Sequence, residues 1–258
     1  MVQLAVKETD QPVARVVNAK GDHAVVLVCE HASRHIPAEF GGLGLTPQAL
    51  SSHIAWDPGA LETAEHLSAL LDAPLVYGGV SRLIYDCNRP PDAPGAMPQR
   101  SEIYDIPGNR DLDDAERARR IETYYRPFER LVEETLNSRS ATPVLVTIHS
   151  FTPVFDGKPR CVEIGILHDA DTRLADALLS VSGGYNVQRN QPYGPGDGVT
   201  HTLKRHALPH GLPNAMIEIR NDLIATPQDC AAMAGTLSGW LENALVRLEA
   251  DEAGSAIR

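Results

Sequence analysis

The sequence predicts an α/β protein, a three-layer α/β/α sandwich around a central mixed sheet. Two observations predict it. Short, wholly apolar runs rich in β-branched residues alternate along the chain with longer stretches of helical period. The polar residues that need explaining fall where those apolar runs end, and open α/β sheets bind their ligands at strand ends. A length of 258 residues suits one such domain with a large core, and no internal repeat or low-complexity segment divides it.

The elements follow in order. Residues 1–20 read as an N-terminal arm or a short edge element. Residues 24–29, AVVLVC, form a buried strand because a strand covered on both faces is apolar at every position. A polar loop follows, then a short helix at Pro47 capped by Thr46. Asp57-Pro58 reads as N-cap plus first helical residue, with Leu61, Ala64, Leu67, Leu70 and Leu71 as the apolar stripe. Residues 74–77 and 82–85 read as strands, and the proline-rich residues 88–98 as loop. Residues 111–137 are charged, periodic and helical. Strands are expected at 144–148, 161–167 and 215–219, and helices at 172–179 and 200–207. Residues 190–198, NQPYGPGDG, are too rich in glycine and proline for regular structure. Thr226-Pro227 starts a last helix that runs to about residue 250.

Composition narrows the function. A net charge of −11 argues against a nucleic-acid partner, which needs a basic surface. It leaves room for an anionic substrate, since a few arginines in a cleft outweigh the bulk charge locally. None of the four cysteines forms a CxxC pair, and Cys29 and Cys161 lie in apolar runs as small hydrophobes, which fits a reducing compartment. The N-terminus lacks the apolar stretch of a signal peptide, and no run reaches the roughly 18 apolar residues of a membrane span. The expectation is a soluble cytoplasmic protein, monomer or homo-oligomer.

Five clusters carry chemistry. His31, in Cys29-Glu30-His31, and His149, in Thr147-Ile148-His149, each follow a buried strand, where an imidazole reaches a cleft as a metal ligand. A strand-end histidine with an ordinary hydrogen bond is the plainer reading. Asp57, if not a helix cap, would complete a set of two histidines and one carboxylate, an arrangement of catalytic zinc; His53 competes for that place. Asn88 and Arg89 suit a substrate carboxylate, which arginine grips with two parallel hydrogen bonds; a salt bridge between Arg89 and Asp86 is the alternative. Glu218 is a carboxylate inside an apolar strand, and burial would raise its pKa toward that of a general base. Arg220 shares its strand face and is a further substrate-binding candidate. Glu163 has the same local logic as Glu218 and is the rival base. No GxSxG elbow supports a serine nucleophile.

Together, CEHASRHIP at 29–37, HIAWDPGA at 53–60, SRLIYDCNRP at 81–90, TIHSFTP at 147–153, GVTHTLKRHA at 198–207 and MIEIRND at 216–222 resemble the N-formylglutamate amidohydrolase family. The resemblance runs from about residue 22 to about 245. It implies a fold related to the zinc carboxypeptidases and aspartoacylases, and hydrolysis of an N-acyl amino acid, N-formyl-L-glutamate first among them. It implies one Zn2+ on His31 and His149, Asn88-Arg89 on the substrate carboxylate, and Glu218 as base. The peptidase pattern would place a glutamate three residues after His31, where Arg34 stands. Asp57 is therefore preferred to Glu30 as third ligand, because Glu30 and His31 face opposite ways in extended backbone. In the mechanism this implies, Arg82 stabilises the tetrahedral oxyanion and His201 closes over the substrate. A non-catalytic binding protein, a metal-free hydrolase using Glu163 and Glu218, and a zinc peptidase are the competing readings.

Overall fold

The structure is a computed structural model in which residues 12–255 are described. Seven strands form one mixed sheet: β1 (Ala14–Val17), β2 (Val25–Cys29), β3 (Leu75–Gly78), β4 (Val144–Phe151), β5 (Ile164–Leu167), β6 (Val187–Arg189) and β7 (Asn214–Arg220). Their order across the sheet is β1-β3-β2-β4-β7-β5-β6. Strands β3, β2, β4 and β7 are mutually parallel; β1 pairs antiparallel to β3, and β5 antiparallel to β7. The carboxyl ends of β2, β4 and β7 therefore emerge side by side at one edge. Every residue of β2 and β4 is buried, as the unbroken apolar run of β2 requires, and β4 carries Thr147, His149 and Ser150 into that buried layer.

Helices cover both faces, which gives the predicted sandwich. Alternate strand residues such as Leu27, Ile148 and Ile217 pack on α2 (Ala60–Leu71), α5 (Arg173–Val181) and α7 (Pro227–Ser255). Val28, Leu145 and Met216 face the other way, toward Phe128 and Val132 of α4 (Arg126–Asn137) and Leu203 of α6 (His201–His206). Short helices α1 (Pro47–Ser51) and α3 (Asp114–Arg120) complete the set. Thr46 caps α1 by accepting the Ala49 N–H, and Thr226 and Asp229 cap α7 by accepting each other's backbone N–H. Between α3 and α4 the backbone widens into a π turn at Ile121–Tyr125. Pro127 explains it, because its ring would strike the carbonyl of a regular turn.

Three local expectations change. Residues 82–85 form turns, not a strand: the sheet edge beside β3 is already taken by β1, and Leu83, Ile84 and Tyr85 are buried over the sheet instead. Apolarity there signals burial alone. Of the arm or edge element expected in residues 1–20, residues 14–17 form the edge strand β1, and residues 1–11 lie outside the described residues. Helix α2 starts two residues later than expected, with Gly59 as its N-cap at φ 79°. A side chain at Gly59 would also meet the Ile224 carbonyl, so glycine is required on both counts. Asp57 is thereby released from capping. Cys161 precedes its strand and is exposed, since β5 begins only at Ile164. Among the described residues no helix is long and apolar enough to cross a membrane.

Candidate metal centre and active-site cleft

The parallel edge of the sheet opens into a cleft of about 480 Å³. His149 of β4 and Glu218 of β7 are register partners, so their side chains leave the sheet on one face. β2 ends at Cys29, and the chain turns at Glu30-His31 beside them. That turn sets aside the strict alternation expected for these two residues, and both reach His149: the His31 and His149 rings lie 4.8 Å apart, and Glu30 Oε2 is 3.0 Å from His149 Nε2. Asp57 is tied to the same turn by its N–H, which donates to the His31 carbonyl at 2.9 Å.

The Asp57 carboxylate is the hub. Its Oδ2 lies 3.2 Å from His31 Nδ1 and 2.9 Å from His149 Nδ1, and it accepts the Ser150 N–H at 3.3 Å. Its Oδ1 accepts Arg82 Nη1 at 3.3 Å. The far nitrogens of the two imidazoles also meet carboxylates. His31 Nε2 is 2.7 Å from Asp86 Oδ1, and Asp86 Oδ2 accepts Arg82 Nη2 at 2.8 Å. Glu30 stands within ion-pair distance of His149 Nε2 but out of line for a hydrogen bond, and among the described residues neither of its oxygens has a hydrogen-bond donor. His31, Asp57 and His149 each offer a ligand atom, all within 4.8 Å of one another, and among the described residues no other group of histidine, cysteine and carboxylate is so placed.

Electrostatics follow from burial and pairing. Desolvation and Arg82 both oppose charge on His31, but Asp86 and Asp57 outweigh them and raise its pKa. His149 is raised further, since Glu30 and Asp57 overcome its burial. Burial works against ionised Asp57, yet the two imidazoles hold it well below the usual carboxylate range. Asp86 is held down in the same way by His31 and Arg82. Glu218 differs. Burial dominates, its Oε2 has no hydrogen-bond partner among the described residues, and its pKa is pushed up to about 7.

The structure thus brings His31, Asp57, His149, Glu218, Arg82, Asn88, Arg89 and His53 to one cleft. Asn88 and Arg89 are more occupied than expected. The Asn88 amide donates to the Val199 carbonyl at 2.5 Å and accepts the Thr202 N–H at 3.1 Å, and Arg89 donates to the Gly198 carbonyl. Both pin the segment leading into α6. His53 is paired with Glu102 at 2.8 Å, away from the histidine–aspartate cluster. Three residues are placed elsewhere. Arg220, the last residue of β7, turns to Asp222 (2.8 Å) and Glu163 (3.6 Å), so neither the arginine nor the rival base Glu163 lines the cleft. His201 is drawn toward α4 by the Tyr125 hydroxyl at 2.7 Å, and it too is absent from the cleft wall. Asp86 and Tyr193 are the residues that sequence reasoning missed. Asp86 carried the signal that exposed Glu218, an acid within an apolar run (Leu83-Ile84-Tyr85-Asp86-Cys87), but it was read only as a partner for Arg89.

Comparison with known proteins places this geometry. The family model for N-formylglutamate amidohydrolase matches residues 23–225, which span all the cleft residues named above. The chain belongs to the N-formylglutamate amidohydrolase family. A gene product of Agrobacterium tumefaciens with a crystal structure is 56% identical, with a TM-score of 0.90, over 93% of this chain and 97% of that one. An N-formylglutamate amidohydrolase from Ralstonia eutropha shares the fold at 20% identity and a TM-score of 0.58, over 90% of this chain and 99% of that one. A succinylglutamate desuccinylase from Chromobacterium violaceum gives a TM-score of 0.43 at 14% identity, over 90% of this chain and 65% of that one. Among curated proteins there is no match.

In this member of the N-formylglutamate amidohydrolase family, the donor set fits a divalent metal. Two imidazoles and one carboxylate converge, all buried, which is the ligand type and number of a catalytic zinc site with a position left open. The outer nitrogen of each histidine faces a carboxylate, the arrangement that orients metal-binding imidazoles. Glu218, buried without a partner for Oε2, stands on the neighbouring strand.

Proposed function

We infer that the protein hydrolyses the amide bond of a small anionic N-acyl amino acid, N-formyl-L-glutamate being the substrate to try first, with Zn2+ held by His31, Asp57 and His149. Membership of an amidohydrolase family supports the reaction class. One observation carries the assignment: Glu218, whose Oε2 has no hydrogen-bond partner among the described residues and whose pKa is raised to about 7, lies in register beside the histidine of a three-residue ligand set. A zinc ion in that set would act as a Lewis acid and make water acidic near neutral pH.

The chain's own residues supply the rest. Glu218 takes a proton from water as its oxygen bonds to the carbonyl carbon. Arg82, fixed between Asp57 and Asp86, puts positive charge beside the carbonyl oxygen as that oxygen becomes negative. The C–N bond then breaks, and Glu218 returns the proton to the leaving amine, giving formate and glutamate. Arg89 at the cleft wall supplies a guanidinium for the substrate carboxylate, and Asn88 holds the adjoining segment in place. The test is formate release from N-formyl-L-glutamate by purified protein, with bound metal measured on the same sample. Full turnover after exhaustive chelation would remove zinc from the reading; a sample that cleaves no N-acyl amino acid would remove the hydrolase.

A further inference from the structure

Hydrogen-bond accounting around the cleft singles out a residue with no role so far. The donors that point at a substrate in sequence are largely engaged. Arg82 Nη1 and Nη2 each bond a carboxylate, the Asn88 amide bonds Val199 and the Thr202 N–H, Arg89 bonds Gly198, and His53 is paired with Glu102. Tyr193 also lines the cleft. Its hydroxyl oxygen accepts Arg160 Nη2 at 3.0 Å, and its hydroxyl hydrogen has no acceptor among the described residues. A phenol whose oxygen is already filled by a guanidinium has its proton left to give, and the cation makes it a better donor.

The position is built rather than incidental. Tyr193 sits in the glycine- and proline-rich loop 190–198, which comes down onto the sheet at Gly165, the register partner of Glu218. A β-carbon at Gly165 would stand 1.9 Å from the Gln191 carbonyl, so only glycine lets the loop approach Glu218 this closely. Arg160 is held just as firmly. Its guanidinium carbon lies 4.5 Å from the Phe155 ring, 4.8 Å from Tyr193 and 5.5 Å from Phe151, and its Nη1 donates to the Thr152 carbonyl at 3.5 Å. Among the described residues it has no carboxylate partner, unlike Arg82, Arg100 and Arg220. The one hydrogen bond it makes to another side chain among the described residues is the one to the phenol.

We propose that the Tyr193 hydroxyl is a catalytic hydrogen-bond donor to the amide oxygen that becomes negative during hydrolysis, and that Arg160 is the positioning residue that orients it. This rests on the hydrolase reading of the same cleft. Burial first, and the nearby Glu218 carboxylate after it, raise the Tyr193 pKa against the lowering pull of Arg160, which leaves the proton on the phenol. The bond strengthens as charge builds on the oxygen, so it acts on kcat rather than on ground-state binding.

The experiment is steady-state formate release from N-formyl-L-glutamate by the full-length protein and four variants, each first checked by circular dichroism and thermal melting. Tyr193→Phe should lower kcat roughly 10²-fold with KM nearly unchanged. Arg160→Leu should lower kcat about 10-fold, Arg160→Lys should recover most of that, and Arg160→Leu added to Tyr193→Phe should cost nothing more, as for two residues acting through one bond. Unchanged kcat in a folded Tyr193→Phe overturns the donor, and a further loss in the double variant overturns the link to Arg160. A wild-type protein inactive on every N-acyl amino acid overturns the hydrolase reading itself, whereas an active wild type beside an unimpaired Tyr193→Phe overturns only this inference.

Discussion

Replacing Asp86 with asparagine tests the metal centre through a residue that is not in the ligand set. Asp86 touches His31 at Nε2, 2.7 Å away, and both side chains are about 5% exposed or less. A hydrogen bond to a charged group is worth about 1.5–3 kcal/mol when buried, and asparagine keeps the shape while losing the charge. Each 1.4 kcal/mol is about tenfold in affinity, so metal binding should weaken about 10- to 100-fold. The Arg82 guanidinium loses one of its two carboxylates in the same change, which places the effect toward the upper end. The assay is competition for Zn2+ against a chromophoric chelator at fixed pH, with the fold checked by circular dichroism. A zinc affinity equal to that of the unaltered protein would refute the reasoning, because the His31 orientation would then owe nothing to Asp86.

The other predictions are briefer. Glu218→Gln should lower kcat at least about 10²-fold and raise stability above neutral pH. The sign follows from burial: the folded carboxyl at about 7 lies above its ordinary value, so the unfolded chain loses this proton first, stability falls as pH rises from the ordinary carboxyl range to about 7, and the full penalty persists above that. For the same reason kcat/KM in the unaltered protein should fall as pH drops below about 7, an acid limb absent from Glu218→Gln. Exhaustive chelation should abolish formate release and added Zn2+ restore it; chelated protein at full rate would contradict the ligand assignment. Phe128→Ala, which empties a 1% exposed site between α4 and the sheet, should cost about 3–5 kcal/mol in urea unfolding, and a loss near zero would mean that α4 does not seal that face.

The sequence by itself determined the layers and most of the site's membership. Runs such as Val25–Cys29 are apolar at every position, and only strands covered on both faces need that. His31, His149 and Glu218 were legible because each breaks or ends such a run, and polar groups there demand a partner. Tertiary structure alone decided the partnerships. Asp57 looked like a helix cap until Gly59 took that position, and Arg82 to Tyr85 looked like a strand until β1 filled the edge it would have used. Arg220 shares the local pattern of Glu218 but finds Asp222 and Glu163 before it can reach the cleft. Asp86 acquires meaning only through His31, 55 positions away, and Tyr193 and Arg160 only through each other, 33 positions apart. Local sequence records whether a side chain is buried, because burial selects composition position by position. It does not record which distant group meets that side chain, because that is fixed by strand order and loop path.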